Sequence, residues 1–489
     1  MKRLAHTHWH RMVLAALLIA LLAAPLSVAL AGQERPDALR TITLPTGANI
    51  AVEMGATLGP KSTLPLESAL AQIAAAAAAR DEATLATFGG QRHVDLAQGT
   101  ARVILEMAVD PQAHAEGGPT FERVALPGGR MATIEHAPRI AIRAELAAAI
   151  AATGATYETA YENWVQVLAP FASLEALAKI DGVRYVRLPF PARQMEVSTF
   201  SEQLQEAPLV GAQTTEGVSL TNTNAWHSAG YNGTGIKLAV FDFGFTNWTA
   251  RKTSGDLPSG AVAKDFSSAF SFTANSNQGT AGYDHGTACA EIAYDMAPDA
   301  TVYLYAWGTE VEFGQAVADY NAVSGKKVAS MSIGWWNASP YDGSGPITDI
   351  VDTSATTYGV LWTVAAGNDQ KVHHSWTSSR YSTSDYVQIG TNEFQEYGTS
   401  ETSFWVFQSG VVDAYLAWND WNAARDGNAS RIDYDMRLYR KRNGEGWTQV
   451  AFSLGNQCGS AAVRPVEALE YAVPTSGANS CAGSNTCLF

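Results

Sequence analysis

Four short apolar runs in the middle of the chain constrain the fold more than any other feature of the sequence. Each run is apolar almost throughout, and the stretches between them are long enough to hold a helix; the runs cover residues 236–241, 302–306, 328–333 and 360–366. Strands of this kind are typical of a parallel sheet whose two faces are both covered by helices. The sequence therefore predicts an α/β domain built on a parallel sheet.

The length of the chain, 489 residues, indicates more than one domain. Residues 1–31 read as a signal peptide, because Lys2 and Arg3 precede an apolar run at 12–24 and a small-residue cleavage site at 29–31. We expect export to the periplasm, the cell surface or the medium. No later stretch is apolar enough over a sufficient length to span a membrane.

Residues 32–208 are predicted to form an α+β region and the start of a polar, proline-containing linker, which runs from Pro189 to about Asn222. Its predicted strands are 102–107, 165–168 and 183–186, and its predicted helices are one or two within the Ala-rich stretch 51–90, followed by 143–153 and 174–180. Residues 209–395 hold the α/β domain. Residues 396–489 change to short alternating strands at 411–418, 431–439 and 447–452, with Asn-Gly and Asp-Gly turns, which is typical of an antiparallel β-sandwich.

Composition excludes some functions. The net charge of −15 argues against a nucleic-acid partner, which would require a basic face. The four cysteines are too few for a disulfide scaffold, and the pairing among Cys458, Cys481 and Cys487 stays open.

Two motifs in the α/β domain bear acid–base side chains. Asp242 ends the first apolar run, at the edge of the sheet where ligands and catalytic groups gather. An Asp in this position is more often a turn or helix cap. His285 follows, in the sequence Asp284-His285-Gly286-Thr287, at the start of a predicted helix.

Further along are the motif Met296-Ala297-Pro298, the run 329–334 (ASMSIG) and the run 364–369 (VAAGND). In this order, the motifs resemble those of the subtilases, the subtilisin-like serine proteases, whose chain order is acid, base, serine. The resemblance implies a subtilisin-like parallel sheet with helices on both faces. It also implies a secreted serine endopeptidase that acts on proteins or peptides.

The resemblance assigns roles to individual residues. Asp242 would orient His285, and His285 would serve as the general base. Asn368 would donate its amide to the oxyanion. Ser332, Ile333 and Gly334 would form the strand that pairs with an extended substrate, and Ala366 and Gly367 would line the specificity pocket.

The sequence departs from the family at two places. Phe243 stands where the family has a small residue, which we interpret as a difference in packing, and Trp335-Trp336 crowd the end of the substrate strand. Subtilases are commonly made as zymogens, so the α+β region is expected to be a propeptide that inhibits its own enzyme. An independent binding domain is the alternative.

The nucleophile is the least certain part of the resemblance. Gly398-Thr399-Ser400 matches the family's tripeptide, but the residues that follow alternate between polar and aromatic types, which favours a strand over the family's buried helix. We therefore expect Ser400 to begin an inserted β-sandwich and the nucleophilic serine to lie beyond Phe489.

Metal sites are not predicted in the catalytic machinery, and no cofactor is expected. Structural calcium at the sandwich acids is an open alternative to simple loop caps: Asp420, Asp426, Asp433 and Asp435. Two rival functions remain. One is an inactive subtilase-fold protein that binds peptides or glycans, and the other is a metallohydrolase that uses His373-His374, whose adjacent positions do not suit a metal.

Overall fold

The computed structural model describes residues 38–43, 49–54, 64–89, 91–112, 118–126, 129–138, 140–194, 214–268, 272–273, 285–367, 406–407, 411–418, 434, 436–442, 447–454, 464–474 and 487–488. It divides into two compact units, 1–59 and 60–489. In the first unit, strands β1 (Ala38–Thr43) and β2 (Asn49–Met54) form an antiparallel hairpin.

The second unit begins with residues 64–194, here called the N-terminal region. Most of this region is an antiparallel sheet with the strand order β3-β4-β8-β7, in which β9 also pairs with β4. Its strands are β3 (Val94–Asp95), β4 (Thr100–Met107), β7 (Thr156–Tyr161), β8 (Trp164–Pro170) and β9 (Val183–Arg187). Its helices are α1 (Ser68–Ala79), α2 (Glu82–Ala86), α3 (Ala144–Ala152) and α4 (Leu174–Leu177). The strands and helices predicted between residues 102 and 186 therefore exist, with bounds that differ by a few residues. The helical prediction for 51–90 is right for α1 and α2 but wrong for residues 51–54, which belong to strand β2.

Both faces of strand β4 are buried, which explains its continuous apolar sequence. Val103 and Leu105 point into a core shared with Ile73 of α1. Ile104, between them, belongs to a second core that contains α/β-domain residues such as Phe241. Successive side chains of a strand point to opposite faces, so this sheet is a layer between its own helices and the α/β domain.

The α/β domain contains a seven-stranded sheet with the order β16-β14-β11-β13-β12-β6-β5. Its strands are β5 (Thr120–Ala125), β6 (Met131–His136), β11 (Ile236–Asp242), β12 (Val262–Asp265), β13 (Thr301–Ala306), β14 (Lys326–Met331) and β16 (Val360–Val364). All neighbours pair in parallel except β5 and β6, which form an antiparallel hairpin. The four apolar runs are thus strands of one parallel array, as predicted.

The β5–β6 hairpin comes from the N-terminal region. Strand β6 pairs in parallel with β12, placing Ile134 opposite Ala263 and His136 opposite Asp265. Sequence patterns gave no sign of this pairing, because it joins strands that lie far apart in the chain. The sheet of the α/β domain therefore extends across the domain boundary predicted at residue 208.

Helices cover both faces of the seven-stranded sheet. The helices after the linker are α5 (Glu216–Leu220), α6 (Thr223–Ser228), α7 (Trp248–Ser254), α8 (His285–Met296), α9 (Glu310–Ala322) and α10 (Pro346–Tyr358). Leu238 and Val240 of β11 pack in one core with Ala290 of α8. The alternate residues Ala239 and Phe241 pack on the opposite side in a core with α9 and α10.

The described residues after 405 form two small antiparallel sheets, here called the C-terminal β region. One sheet has the order β17-β22-β19-β20 and the other pairs β18 with β21. The strands are β17 (Val406–Phe407), β18 (Val411–Ala417), β19 (Met436–Arg442), β20 (Trp447–Ser453), β21 (Val466–Ala472) and β22 (Cys487–Leu488). A small core that contains Val412 and Tyr471 joins the sheets, with Leu438 and Val450 packed against it. Cys458, Cys481 and the predicted calcium-binding acids lie outside the described residues.

Within the residues that the structure describes, no helix combines the length and the apolar character that a membrane crossing demands.

At Gly314 of α9 the N-terminal region approaches the α/β domain closely. A Cβ atom added at Gly314 would lie 2.5 Å from Cδ1 of Tyr161, which ends strand β7. Atoms of real side chains do not approach this closely, so only glycine allows the Tyr161 ring to lie this near the helix backbone.

We predict that Gly314→Ala destabilises the protein although alanine is the better helix former. Ring displacement of this kind costs about 1–3 kcal/mol, against about 1 kcal/mol gained in helix propensity. Urea unfolding gives the free energy directly. Gly260→Ala is the matched control, because a Cβ there meets no atom within 4 Å. An unchanged or raised stability of Gly314→Ala would show that the Tyr161 contact is not tight.

Candidate active site

Asp242 is the last residue of β11 and lies at the carboxyl edge of the parallel sheet. Its side chain is fully buried. The Oδ1 atom accepts a hydrogen bond from the backbone N–H of Phe243 at 2.8 Å, which fixes the plane of the carboxylate. The second oxygen, Oδ2, is thereby aimed at the start of helix α8. A buried carboxylate requires such partners, since desolvation of an isolated charge is costly.

His285 is the first residue of α8, and its Nδ1 lies 2.7 Å from Oδ2 of Asp242. A carboxylate only accepts hydrogen bonds, so Nδ1 carries the proton and donates. The prediction that Asp242 and His285 are hydrogen-bonded neighbours at this edge of the sheet agrees with the geometry. This orientation leaves Nε2 as the nitrogen available for proton transfer.

The Gly-Thr pair after His285 allows helix α8 to approach the sheet. A Cβ at Gly286 would lie 2.4 Å from the Gly244 carbonyl oxygen and 2.8 Å from Cβ of Asp242, so any larger residue would push the helix away. Thr287, which is fully buried, donates its hydroxyl to the Thr246 carbonyl at 2.6 Å. Gly286 and Thr287 together hold His285 at hydrogen-bond distance from Asp242.

The surroundings of His285 raise its pKa to about 10. Burial by itself favours the neutral imidazole, but the hydrogen bonds and negative charge offered by Asp242 and Cys289 outweigh burial. Asp242 and Cys289 thus favour the imidazolium form of His285.

Cys289 is a component of the site that the sequence analysis did not assign. Its Sγ atom lies 3.9 Å from Nε2 and 4.0 Å from Nδ1 of His285. The two residues are four positions apart on α8, and this spacing places side chains on one face of a helix. That spacing was the signal available in the sequence.

Asp242, His285 and Cys289 also offer three potential metal ligands within 4.8 Å of one another. A zinc ion bound to both Nδ1 and Oδ2 would hold these atoms about 3.3 Å apart, given bond lengths of about 2.0 Å and tetrahedral angles. Their separation of 2.7 Å is that of a shared proton instead. The residues are thus arranged for acid–base chemistry.

The predicted substrate strand lies beside this pair. Strand β14 ends at Met331, and the chain continues through Ser332 into strand β15 (Ile333–Trp335). Ile333 is fully buried in the core, which anchors the strand from below. Strand β15 pairs antiparallel with strand β10 (Ala192–Gln194) of the N-terminal region, with Arg193 opposite Gly334.

The aromatic residues that depart from the family pattern form a packed group. The Trp335 ring stacks on Trp307 with centroids 5.2 Å apart, and Phe243 packs edge-on against Trp307 at 4.8 Å. Trp336 turns the other way and stacks on Tyr415 of the C-terminal β region at 6.0 Å. The large side chain of Phe243 thus fills space beneath the substrate strand.

The remaining predicted site residues lie at the end of β16. The backbone N–H of Ala365 donates to the Met331 carbonyl at 3.0 Å, which keeps this end beside the substrate strand. Ala366 is exposed, and Gly367 has a φ of +87°, a conformation that favours glycine. Asn368, His373, His374 and Ser400 lie outside the described residues, so their predicted roles stay predictions.

Part of the chain matches a known protein family. Residues 233–406 match the model of the Subtilase family. This part of the chain belongs to the subtilases. The match contains Asp242, His285, the substrate strand and the end of β16. A search of curated proteins found no match to the chain. Subtilases are serine peptidases, and the matched residues include the hydrogen-bonded pair Asp242 and His285.

We predict that the Asp242–His285 pair makes stability depend on pH in the alkaline range. The pKa of His285 is raised from 6.5 to about 10 in the folded protein. The stabilisation is therefore complete below about pH 6.5 and is lost as the pH rises through about 10. Measured between these limits, the unfolding free energy of the wild type should fall with pH, and that of His285→Gln should fall less.

His227→Gln serves as the control, because His227 binds the Met296 carbonyl at the far end of α8. Cys289→Ala should lower the midpoint of the His285 titration seen by NMR, because the thiol hydrogen bond is lost. Equal pH slopes in wild type and His285→Gln would contradict the raised pKa.

Proposed function

We propose that the chain is the precursor of a secreted serine endopeptidase that hydrolyses peptide bonds through an Asp/His/Ser triad. The hydrogen bond of 2.7 Å between Asp242 and His285, within a domain of the subtilase family, carries this proposal. Asp242 fixes the tautomer of His285 and stabilises the imidazolium. Nε2 of His285 takes the proton of a serine hydroxyl and returns it to the leaving amine.

The nucleophile and the oxyanion donor complete the proposal. Gly367 lies at the end of β16, and Asn368, the next residue in the sequence, would place its amide near the developing oxyanion. Loss of one such donor typically costs about 3–4 kcal/mol of transition-state stabilisation. The nucleophile would be a serine other than Ser400, for the sequence reasons given above.

The N-terminal region is proposed to be an inhibitory propeptide. Its strand β10 lies antiparallel on the substrate strand, in the manner of an extended peptide that adds a strand to an exposed edge. In addition, the Trp336 backbone N–H donates to the Pro191 carbonyl at 3.0 Å. A substrate that used the same backbone groups would have to displace this segment first.

Polar contacts hold the rest of the N-terminal region on helix α9. Gln166 donates to Oε1 of Glu312 at 2.8 Å and accepts from the Thr309 hydroxyl at 2.5 Å. Gln315 donates to the Ala160 carbonyl at 2.6 Å. Thr309 and Glu312 are also the capping box of α9, so the docking surface is preorganised by the helix itself.

Export through the signal peptide at residues 1–31 completes the proposal. Calcium remains an open structural partner.

The decisive prediction concerns covalent labelling by a fluorophosphonate, which reacts only with an activated serine. We expect the chain that ends at Phe489 not to react. A product extended along the gene should react once the linker at 195–213 has been cut and the N-terminal region removed. His285→Ala should reduce the labelling rate by a factor of about 10³ or more, because the serine loses its base.

Ser400→Ala tests the alternative nucleophile, and His227→Ala is the control for loss of a histidine outside the pair. Labelling of the short chain that Ser400→Ala abolishes would assign the nucleophile to Ser400. Failure of both products to react would favour the inactive protein that binds peptides or glycans.

A further inference from the structure

Four charged side chains meet where three parts of the chain come together. Glu106 of β4 and Arg187 of β9 belong to the N-terminal region, and Glu310 begins helix α9 of the subtilase domain. Arg464 comes from the C-terminal β region, two residues before the first residue of strand β21. We call these four residues the junction cluster. No sequence pattern pointed to it, since its members are scattered over the chain.

The two arginines alternate with the two glutamates in the junction cluster. Arg187 Nε lies 2.6 Å from Glu106 Oε1, and Arg187 Nη1 binds Glu310 Oε1. Arg464 Nη2 lies 2.8 Å from the same Oε1 atom of Glu106. Glu106 is therefore shared between an arginine of its own region and an arginine of the C-terminal β region.

The junction cluster is buried. The side chains of Glu310 and Arg187 are 0% and 4% exposed, and those of Glu106 and Arg464 are 11% and 17% exposed. Burial by itself would raise the pKa of Glu106, but the charges of Arg464 and Arg187 outweigh it and lower the pKa to about 2. Removal of one member of such a buried pair leaves the other charged and desolvated, which strongly destabilises the contact.

Arg464 also contacts the segment that leads into the substrate cleft. Its guanidinium lies 4.3 Å from the ring centroid of Phe190, and that of Arg187 lies 3.7 Å from the same ring. Phe190 precedes strand β10 by two residues. The two arginines therefore clamp the chain directly before it pairs with the substrate strand.

Other contacts place the C-terminal β region on both partners. On the N-terminal region, the Phe452 carbonyl accepts from Gln72 at 3.1 Å, and the Leu454 backbone N–H donates to the Ser68 hydroxyl at 3.0 Å. On the subtilase domain, Asn337 donates to the Glu467 carbonyl at 2.8 Å, next to the stacked rings of Trp336 and Tyr415. The region thus bridges the inhibitor and the end of the substrate strand.

We propose that the C-terminal β region is a lock that holds the N-terminal region in the substrate cleft, with Arg464 as its central contact. The proposal rests on the proposed function in one respect, that strand β10 blocks the cleft. Release then has two steps. Cutting the linker at 195–213 breaks the covalent connection, but the N-terminal region leaves only when the Arg464 contact opens.

The test uses the full chain with a recognition site for a specific protease placed in the linker at 201–207. After cleavage, the rate at which the N-terminal region leaves is measured by size-exclusion chromatography at successive times after dilution. The cleaved wild type should stay associated. Arg464→Met should accelerate dissociation about 30-fold or more, since loss of one partner of a buried charge pair acts mainly on the dissociation rate.

Three further variants make the result specific. Arg464→Lys keeps the charge and should accelerate dissociation less than Arg464→Met. Glu106→Gln combined with Arg464→Met should be less than additive, because the two residues share one contact. Lys179→Met is the control within the N-terminal region, because it removes an ion pair with Glu175 in which both side chains are more than half exposed. It should dissociate at the wild-type rate.

A second contact keeps the proposal testable if Arg464→Met does not fold, which circular dichroism of the uncut protein would reveal. The double variant Ser68→Ala/Gln72→Ala removes two other hydrogen bonds of the same interface and should also accelerate dissociation. Immediate release from the cleaved wild type would overturn the proposal. Release of the folded Arg464→Met or of the double variant at the wild-type rate would also overturn it.

The measurement is independent of catalysis. A chain that retains its N-terminal region through Arg464 but never labels with a fluorophosphonate would refute the protease and leave the lock standing. A chain that reacts with the fluorophosphonate after cleavage but releases its N-terminal region at once would support the protease and refute the lock.

Discussion

The hydrogen bond between Asp242 and His285 joins the end of the central strand to the start of a helix, and much of the molecule is arranged around it. The bond requires helix α8 to approach the sheet so closely that Gly286 touches the backbone of Gly244. It also requires a buried carboxylate, and the hydrogen bond from the Phe243 backbone N–H helps to stabilise that carboxylate. At this contact, the size and hydrogen-bonding capacity of the residues therefore matter more than their hydrophobicity.

The parts of the fold that the sequence predicts are those set by local pattern. The four buried strands and the helix start at His285 follow from apolar runs and from small residues at fixed spacing. Strand ends place Asp242 and the residues after Met331 at one edge, so the site could be anticipated once the sheet was recognised as parallel.

The features that the sequence does not predict depend on contacts between distant residues. The sequence of the β5–β6 hairpin is like that of any antiparallel hairpin, and no local sequence pattern indicates that it pairs with β12. Strand β10 lies in a segment that its prolines and polar residues mark as a linker, yet its backbone pairs with Gly334. Cys289 differs from these features, because its spacing of four residues from His285 on a predicted helix already indicates that the two side chains lie on one face.

The position of the hairpin bears on what happens to the sheet if the N-terminal region departs. Strand β12 would then become an outer strand with unpaired backbone groups, which is a template for aggregation. It is only four residues long and contains Lys264, whose amine binds Glu135 of the hairpin and Asp319 of α9. After the hairpin has left, Lys264 would lose its ion pair with Glu135 and keep its ion pair with Asp319. A short outer strand with a charged residue resists pairing with other chains, so β12 already has the features of a protected edge strand.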